Sequence, residues 1–216
     1  MRSDIVDYLK NKALFERFLF SQVNRVPATS VYTRFTAGIL ETMYAGLDAE
    51  AAMPILGGRV LLGLSGSVVK KRSPSNPLLL AEDQVKEYYR TAFFNTRINF
   101  PGPEIALDVK YGMFLAGDKG ARFTISKFIK GVTLSAWYSM TDTSVFTDGV
   151  NNDYHDKGIM VLIPIRLFTG NDSRAVYAQG FSPWTRDVAQ DIEHFTSLFD
   201  VIGRNTDIYL KKDRNK

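Results

Sequence analysis

An all-β chain, an antiparallel up-and-down β-barrel or part-barrel with short N-terminal and C-terminal helices, is predicted by three features of this sequence. From Glu104 to Ala116 every odd position is a sizeable apolar residue, whereas the even ones, Phe114 excepted, are polar or small. Successive side chains of an extended strand point to opposite faces, so this period of two gives one greasy face and one that tolerates water. After Gly131, Val132, Leu134, Ala136, Tyr138 and Met140 alternate with Thr133, Ser135, Trp137, Ser139 and Thr141. That run is close to the roughly nine to eleven residues with which a tilted strand crosses a bilayer. Between the two runs, Ala116-Gly117-Asp118-Lys119-Gly120 supplies a hairpin loop rich in residues that accept positive φ.

The elements follow in chain order. Ile5, Leu9, Ala13 and Phe20 fall near helical spacing, with Ser3 placed to cap and Pro27 beyond the end, which predicts a helix over residues 3–23. From Tyr32 the period changes to two and predicts one long strand through Phe35, Ala37, Ile39, Met43 and Ala45, interrupted on its greasy side by Glu41. Gly46-Leu47-Asp48 is read as a turn into a short strand ending at Pro54, and Leu56-Gly57-Gly58-Arg59 as a hairpin turn before Val60, Leu62, Leu64 and Val68. Residues 70–83 carry Ser73-Pro74-Ser75-Asn76-Pro77 and read as a long loop, and residues 88–100 return to alternation before Pro101-Gly102-Pro103 turns the chain.

Residues 141–156 form a polar loop, and Ile159 to Leu167 a strand apolar on nearly both sides, where Pro164 points to an edge or bulge. Gly170-Asn171-Asp172 then turns the chain toward a strand over 174–181. Val188, Ile192, Phe195, Phe199 and Ile202 are spaced for an amphipathic helix lying on the sheet or at a membrane surface. Alternation gives about eight to ten strands in all. The domain boundaries expected are an N-terminal helical segment at 1–28, a β-barrel domain at 29–205 and a basic tail at 206–216.

With 216 residues and 45% hydrophobic content the chain is long enough for one large β domain. Its net charge of +4 comes from 27 basic residues among 23 acidic ones, without a run long enough to act as a nucleic-acid arm, so no nucleic-acid partner is expected. Cysteine is absent, which removes disulfides, thiolate zinc sites, thiol nucleophiles and a lipid-bearing cysteine from this chain. No stretch approaches the roughly 18 uninterrupted apolar residues of a membrane helix, and Met1-Arg2-Ser3-Asp4 does not lead into a signal-peptide core.

Catalytic constellations are sparse. His155 and His194 are the chain's histidines, and neither has a local context that positions a base, so both are read as solvent-facing or capping residues. Asn151-Asn152-Asp153-Tyr154-His155-Asp156 is oxygen-rich but lacks the glycine and distal glutamate of a calcium loop, and reads as a surface turn. In Gly117-Asp118-Lys119-Gly120 the lysine precedes the last glycine and no Ser or Thr follows, so this is a turn and not a phosphate loop. Carboxylates such as Asp108, Glu104 and Glu50 cannot be placed across a cleft from sequence, which leaves no acid/base pair for glycoside hydrolysis. No enzyme activity, cofactor or metal is expected.

Residues 111–121, Trp137-Tyr138-Ser139-Met140-Thr141-Asp142 and His155-Asp156-Lys157-Gly158-Ile159 together form a recognisable pattern, extended by residues 43–50 and by Ser182-Pro183-Trp184-Thr185-Arg186-Asp187. The pattern resembles the YjbH, or GfcD-like, family of outer-membrane exopolysaccharide and capsule proteins, and spans about residues 30–205. The turns that carry it are Gly117, Asp118, Lys119, Gly120, Asp156, Lys157 and Gly158. The resemblance implies a C-terminal β-barrel region of a large Gram-negative lipoprotein that assists polysaccharide secretion in the outer membrane. It implies polysaccharide, outer-membrane lipid and secretion-complex proteins as partners, and carries no catalytic residue. The missing signal peptide and lipid-bearing cysteine imply that this chain is part of a longer precursor or of a split gene, so a missing N-terminal region is a further expected partner.

On that reading Ile105, Leu107, Val109, Val132, Leu134 and Ala136 face lipid. Asp108, Lys110, Thr133, Ser135, Trp137 and Ser139 face the lumen. Loops 70–86 and 141–157 are candidate gates. The rival reading is a soluble barrel or sandwich with its apolar face inward, binding a lipid or glycan, because alternation alone does not distinguish inside from outside.

Overall fold

The computed structural model describes residues 2–10, 15–76, 78–81, 86–169, 176–183 and 186–203. They form one antiparallel sheet of ten strands in which each strand pairs with the next in the chain. The strands are β1 (Phe18–Arg25), β2 (Tyr32–Ile39), β3 (Tyr44–Ile55), β4 (Val60–Lys71), β5 (Tyr89–Phe100), β6 (Ile105–Met113), β7 (Lys119–Ile129), β8 (Val132–Thr141), β9 (Lys157–Pro164) and β10 (Val176–Phe181). The expected up-and-down order is present. The sheet is not closed, however: β1 and β10 are its two edges.

Several elements differ from the sequence reading, each for a local reason. Helix α1 covers only Ile5–Leu9, and the chain is a strand again from Phe18. Ser21 hydrogen-bonds Thr36 at 3.0 Å across the β1–β2 ladder, so pairing with β2 overrides helical spacing although Phe18-Leu19-Phe20 do not alternate. The long strand expected from Tyr32 to Ala45 is broken at Leu40–Met43, where Leu40 N–H bonds Tyr44 O at 3.1 Å. Gly46-Leu47-Asp48, read as a turn, lies inside β3. Strand β4 runs to Lys71, past the expected start of the loop.

Strand β6 stops at Met113 because Phe114, the one break in the alternation, turns into an aromatic cluster: its ring centroid lies 4.9 Å from that of Phe93. Strand β9 stops at Pro164, which pairs with Val176 and has no N–H to extend the ladder; the chain then enters a short helix, α2 (Arg166–Thr169). The turn expected at 170–172 and the basic tail at 206–216 lie outside the described residues. The helix expected from Val188 to Ile202 is reduced to α3 (Leu198–Gly203).

Close approach of strands is set by glycine at Gly112 and Gly120, which pair with each other. A Cβ on Gly112 would meet Ala92 O at 2.0 Å, and one on Gly120 would meet Met140 O at 2.0 Å. Such glycine positions let a sheet bend where side chains would hold it flat.

The apolar core lies against one face only. Near the end where α1 sits, Tyr8, Leu40, Met43, Tyr44, Val69, Tyr89, Leu115 and Ile192 form one cluster, and Phe93, Phe114, Phe146, Val188 and Ala189 a second. At the other end Ala52, Leu61, Leu198, Phe199 and Ile202 form a third. Burying each of the larger side chains contributes roughly 1.5–3 kcal/mol. Much of this apolar area comes from residues 186–203, a strap that runs along the sheet.

Candidate functional site

Cross-strand partners in a ladder point the same way, so the register assigns every strand residue to a face. Asp108 pairs with Arg97 and Thr124, Thr124 with Trp137, Lys110 with Arg122, and Arg122 with Ser139. Ser135 pairs with Ser126 and Thr133 with Phe128 on the same side. Asp108, Lys110, Thr133, Ser135, Trp137 and Ser139 therefore lie on one face, the face that carries the strap. Ile105, Leu107, Val109, Val132, Leu134 and Ala136 lie on the other, where Ile105 and Leu134 pair with Lys127, and Leu107 and Ala136 with Ile125.

The open face is apolar across the sheet. Phe20, Phe35, Leu47, Leu64, Val68, Phe94, Tyr111, Phe123, Ile125, Tyr138, Met140 and Ile159 are all exposed there. The strap face buries polar groups beside its apolar clusters: Arg34, Thr36, Asp48, Glu50, Ser67, Thr91, Asn95, Asn99, Ser126, Ser135 and Ser139 are buried on it. Ordinary soluble sheets bury grease and expose polar groups. Here the exposed face is the apolar one, and the buried face mixes polar groups with the apolar clusters.

The strap is held mainly by its backbone. Asp187 N–H donates to Asn151 Oδ1 at 3.1 Å, Ala189 N–H to Asp118 Oδ2 at 2.8 Å, Glu193 N–H to Glu41 Oε2 at 2.9 Å, and Leu198 N–H to Glu50 Oε2 at 2.8 Å. In the other direction Leu115 N–H donates to Gln190 O at 2.9 Å and Arg97 Nη1 to Phe199 O at 2.7 Å, while Arg122 and Arg2 donate to the carbonyls of Ala189 and Asp191. A buried backbone group must be paired. Side chains of the sheet and its loops supply partners that a helix would have found within itself, which is why the stretch before α3 is irregular.

A chain of charges crosses the middle of this face. Lys110 Nζ lies 2.5 Å from Asp191 Oδ2, His194 Nε2 is 3.5 Å from that same oxygen, and His194 Nδ1 is 3.2 Å from Asp48 Oδ2. Arg34 continues the chain, 2.6 Å from Asp48 and 3.2 Å from Glu50, whose other oxygen accepts from Ser197 Oγ at 3.0 Å. Burial alone would depress the His194 pKa, but hydrogen bonds and charge from Asp191 and Asp48 outweigh it and raise it to about 9. Burial pushes the Asp191 carboxyl up, yet Lys110 and His194 win and hold it well below the usual carboxylate range. His194 is thus a buried cation between two carboxylates and not a solvent-facing residue. Asp191, three residues before it, is a local partner legible in the sequence, whereas Asp48 is supplied by a distant strand.

The family turns converge on one stretch of the strap. Gly117 has φ +97° and its N–H bonds Phe114 O at 2.9 Å, closing a turn that points the buried Asp118 at Ala189. Asp156 accepts from Trp137 Nε1 and from Arg122 Nη2, both at 2.8 Å, and Arg122 reaches the carbonyl of Ala189. Gly158 lies under the Trp137 indole, where a Cβ would come within 2.4 Å of Cζ2. Lys119 and Lys157 take no part in this and are exposed on the open face. Asn151, expected in a surface turn, is buried as a hydrogen-bond acceptor for the strap, so the loop at 141–157 is docked. Trp184 and Thr185 lie outside the described residues. Among the described residues no cluster of His, Cys, Asp and Glu is arranged to hold a metal ion, and no helix is long and apolar enough to cross a membrane, which says nothing about crossing with strands.

Comparison with known proteins bears on what this arrangement serves. The family model described as exopolysaccharide biosynthesis protein YbjH matches residues 1–204. The chain is 27% identical over 205 residues to the uncharacterized lipoprotein YjbH of Escherichia coli (strain K12), a match covering 93% of this chain and 28% of that protein. The chain thus spans just over a quarter of the length of that relative. No solved structure matches.

Proposed function

From the premise that this chain belongs to the YjbH exopolysaccharide biosynthesis family, we propose that it is a β-barrel element of the Gram-negative outer membrane that assists exopolysaccharide or capsule secretion without catalysing a reaction. Its open face meets lipid and its strap face lines the interior. The observation that carries this reading is the make-up of the open face. Among the described residues, no Asp or Glu occupies an outward strand position, and the outward charges are Lys70, Arg90, Lys119, Lys127 and Lys157, each near a strand end. Lys127 bends back to donate to Pro103 O in the neighbouring turn, as a lysine does when it keeps its charge out of hydrocarbon.

A soluble sheet that exposed this much contiguous apolar surface would aggregate. The unpaired edges of β1 and β10 require cover in a bilayer, where open backbone groups are costly, so further strands or direct pairing of the two edges complete the wall. The strap fills the polar side, and passage of a polysaccharide requires it to move; the loop at 141–157, docked on it, moves with it. The histidine that meets acids has a carboxylate at each ring nitrogen and serves as an ionic crosspiece, which supports a non-catalytic role.

The test is complementation of an exopolysaccharide-deficient strain that lacks the full-length family protein. Restored secretion by the wild-type region, lost with Leu134→Arg alongside loss of the protein from the outer-membrane fraction, supports the reading. Normal secretion with the arginine variant stably in a soluble fraction contradicts it.

A further inference from the structure

We infer that the rim formed by Lys70, Arg90, Lys119 and Lys157 is a docking surface for anionic, phosphate-bearing lipid headgroups; this rests on the membrane reading above. Because the strands run up and down, the end of β4 and the starts of β5, β7 and β9 lie at one end of the sheet. The ladder turns all four residues outward: Lys70 pairs with Ala45, Arg90 with Val68, Lys119 with Met113 and Lys157 with Tyr138. They sit directly above the apolar band, so a side chain that leaves hydrocarbon at that level meets headgroups.

The choice of charge is informative. This chain has nearly as many acids as bases, 23 against 27, yet the acids of the strands, Asp48, Glu50 and Asp108, all lie on the strap face. Water at the rim would accept either sign, and a leaflet of phosphates accepts only one. The cations are also available. Arg90, Lys119 and Lys157 are exposed, and among the described residues none of them has an ion-pair partner, Lys157 lying 5.9 Å from the Tyr154 ring. Lys70 is 3.6 Å from Glu87, itself largely exposed, and stacks 5.2 Å from the Tyr88 ring, an aromatic at headgroup level. By contrast, five cations of the strap face, Arg34, Lys71, Arg97, Lys110 and Arg122, each have a carboxylate partner, Arg25 near the far end of β1 being the exception.

The experiment incorporates the full chain into vesicles of phosphatidylcholine alone or with phosphatidylglycerol and reads retention over a salt series. Wild type is expected to be retained better with phosphatidylglycerol. Replacing all four residues by Gln should abolish the preference, at about fivefold per cation at low salt. Lys70→Arg, Lys119→Arg and Lys157→Arg together keep the charge and should keep the preference, which separates headgroup contact from folding. Equal retention in both lipids by wild type overturns the rim assignment and leaves the membrane reading standing; retention in neither overturns both. No lipid preference, with binding of a soluble acidic polysaccharide that the four Gln substitutions remove, also overturns the assignment in favour of a glycan surface.

Discussion

The carboxylate of Asp118, in the turn between β6 and β7, accepts the backbone N–H of Ala189 at 2.8 Å and so ties the most specific sequence motif of the chain to the strap. Burial pushes this carboxyl's pKa up while the Ala189 bond opposes the shift, so the bond and the charge are coupled. Asp118→Ala leaves a buried N–H unpaired and should cost about 1–3 kcal/mol; Asp118→Asn keeps an acceptor and should cost less. Denaturant unfolding in detergent, with proteolysis of the strap as a second readout, measures both. Equal stability of wild type and Asp118→Ala would show that the turn does not hold the strap.

The charged crosspiece predicts a pH dependence of definite sign. His194 is raised from 6.5 to about 9 in the folded chain, so its contribution is complete below pH 6.5 and is lost as pH rises through about 9. Asp191 is lowered, so its contribution is present above the ordinary carboxylate range and is lost as pH falls through and below that range. Stability should therefore decline on the alkaline side in wild type and much less in His194→Gln. A pH series of urea midpoints reads this, and parallel profiles for the two proteins would remove His194 from the network.

Gly120 and Gly158 permit close approach for different reasons. Gly120→Ala puts a methyl 2.0 Å from a strand carbonyl, which only backbone displacement relieves, and should destabilise by about 2 kcal/mol or more. Gly158→Ala meets the Trp137 indole at 2.4 Å and the carbonyl of Phe181 at 2.5 Å, but β10 is an edge strand that can shift, so it should cost less, while shifting the environment of Trp137. Thermal unfolding separates the two, and near-ultraviolet circular dichroism reports the tryptophan. A larger loss from Gly158→Ala would reverse this ranking.

Facing predicts an asymmetry between neighbours in β8. Leu134→Arg places a charge on the open face and should impair membrane assembly by about 2–4 kcal/mol at mid-bilayer; Thr133→Arg, on the strap face, should be milder. Folding titrations into lipid vesicles compare them, and equal penalties would contradict the assignment of faces.

The strands were legible because a period of two survives in the sequence whenever the two faces meet different surroundings. It does not matter to that signal which face is wet, so β6 and β8 were readable while orientation waited for the burial of Arg34, Asp48 and Ser139. The strap was misread because the spacing of Val188, Ile192, Phe199 and Ile202 is set by apolar sites on the sheet, and its backbone is paired by Asp118, Glu41 and Glu50, all far away in sequence. Half of the His194 site was illegible for the same reason: Asp191 lies three residues away, but Asp48 comes from a distant strand. Phe20 falls near helical spacing because β1, Phe18-Leu19-Phe20-Ser21-Gln22-Val23-Asn24-Arg25, carries no alternation of its own and becomes a strand through pairing with β2.

The most direct measurement uses the absence of cysteine from this chain. Single cysteines at Leu107, Leu134 and Phe123 on the open face, and at Thr133 on the strap face, are labelled with an environment-sensitive fluorophore in vesicles whose acyl chains are brominated. Strong quenching at Leu107, Leu134 and Phe123 with little at Thr133 is expected. Quenching at Thr133 but not at the other positions, or at none of them, would contradict a sheet that turns its apolar face to lipid.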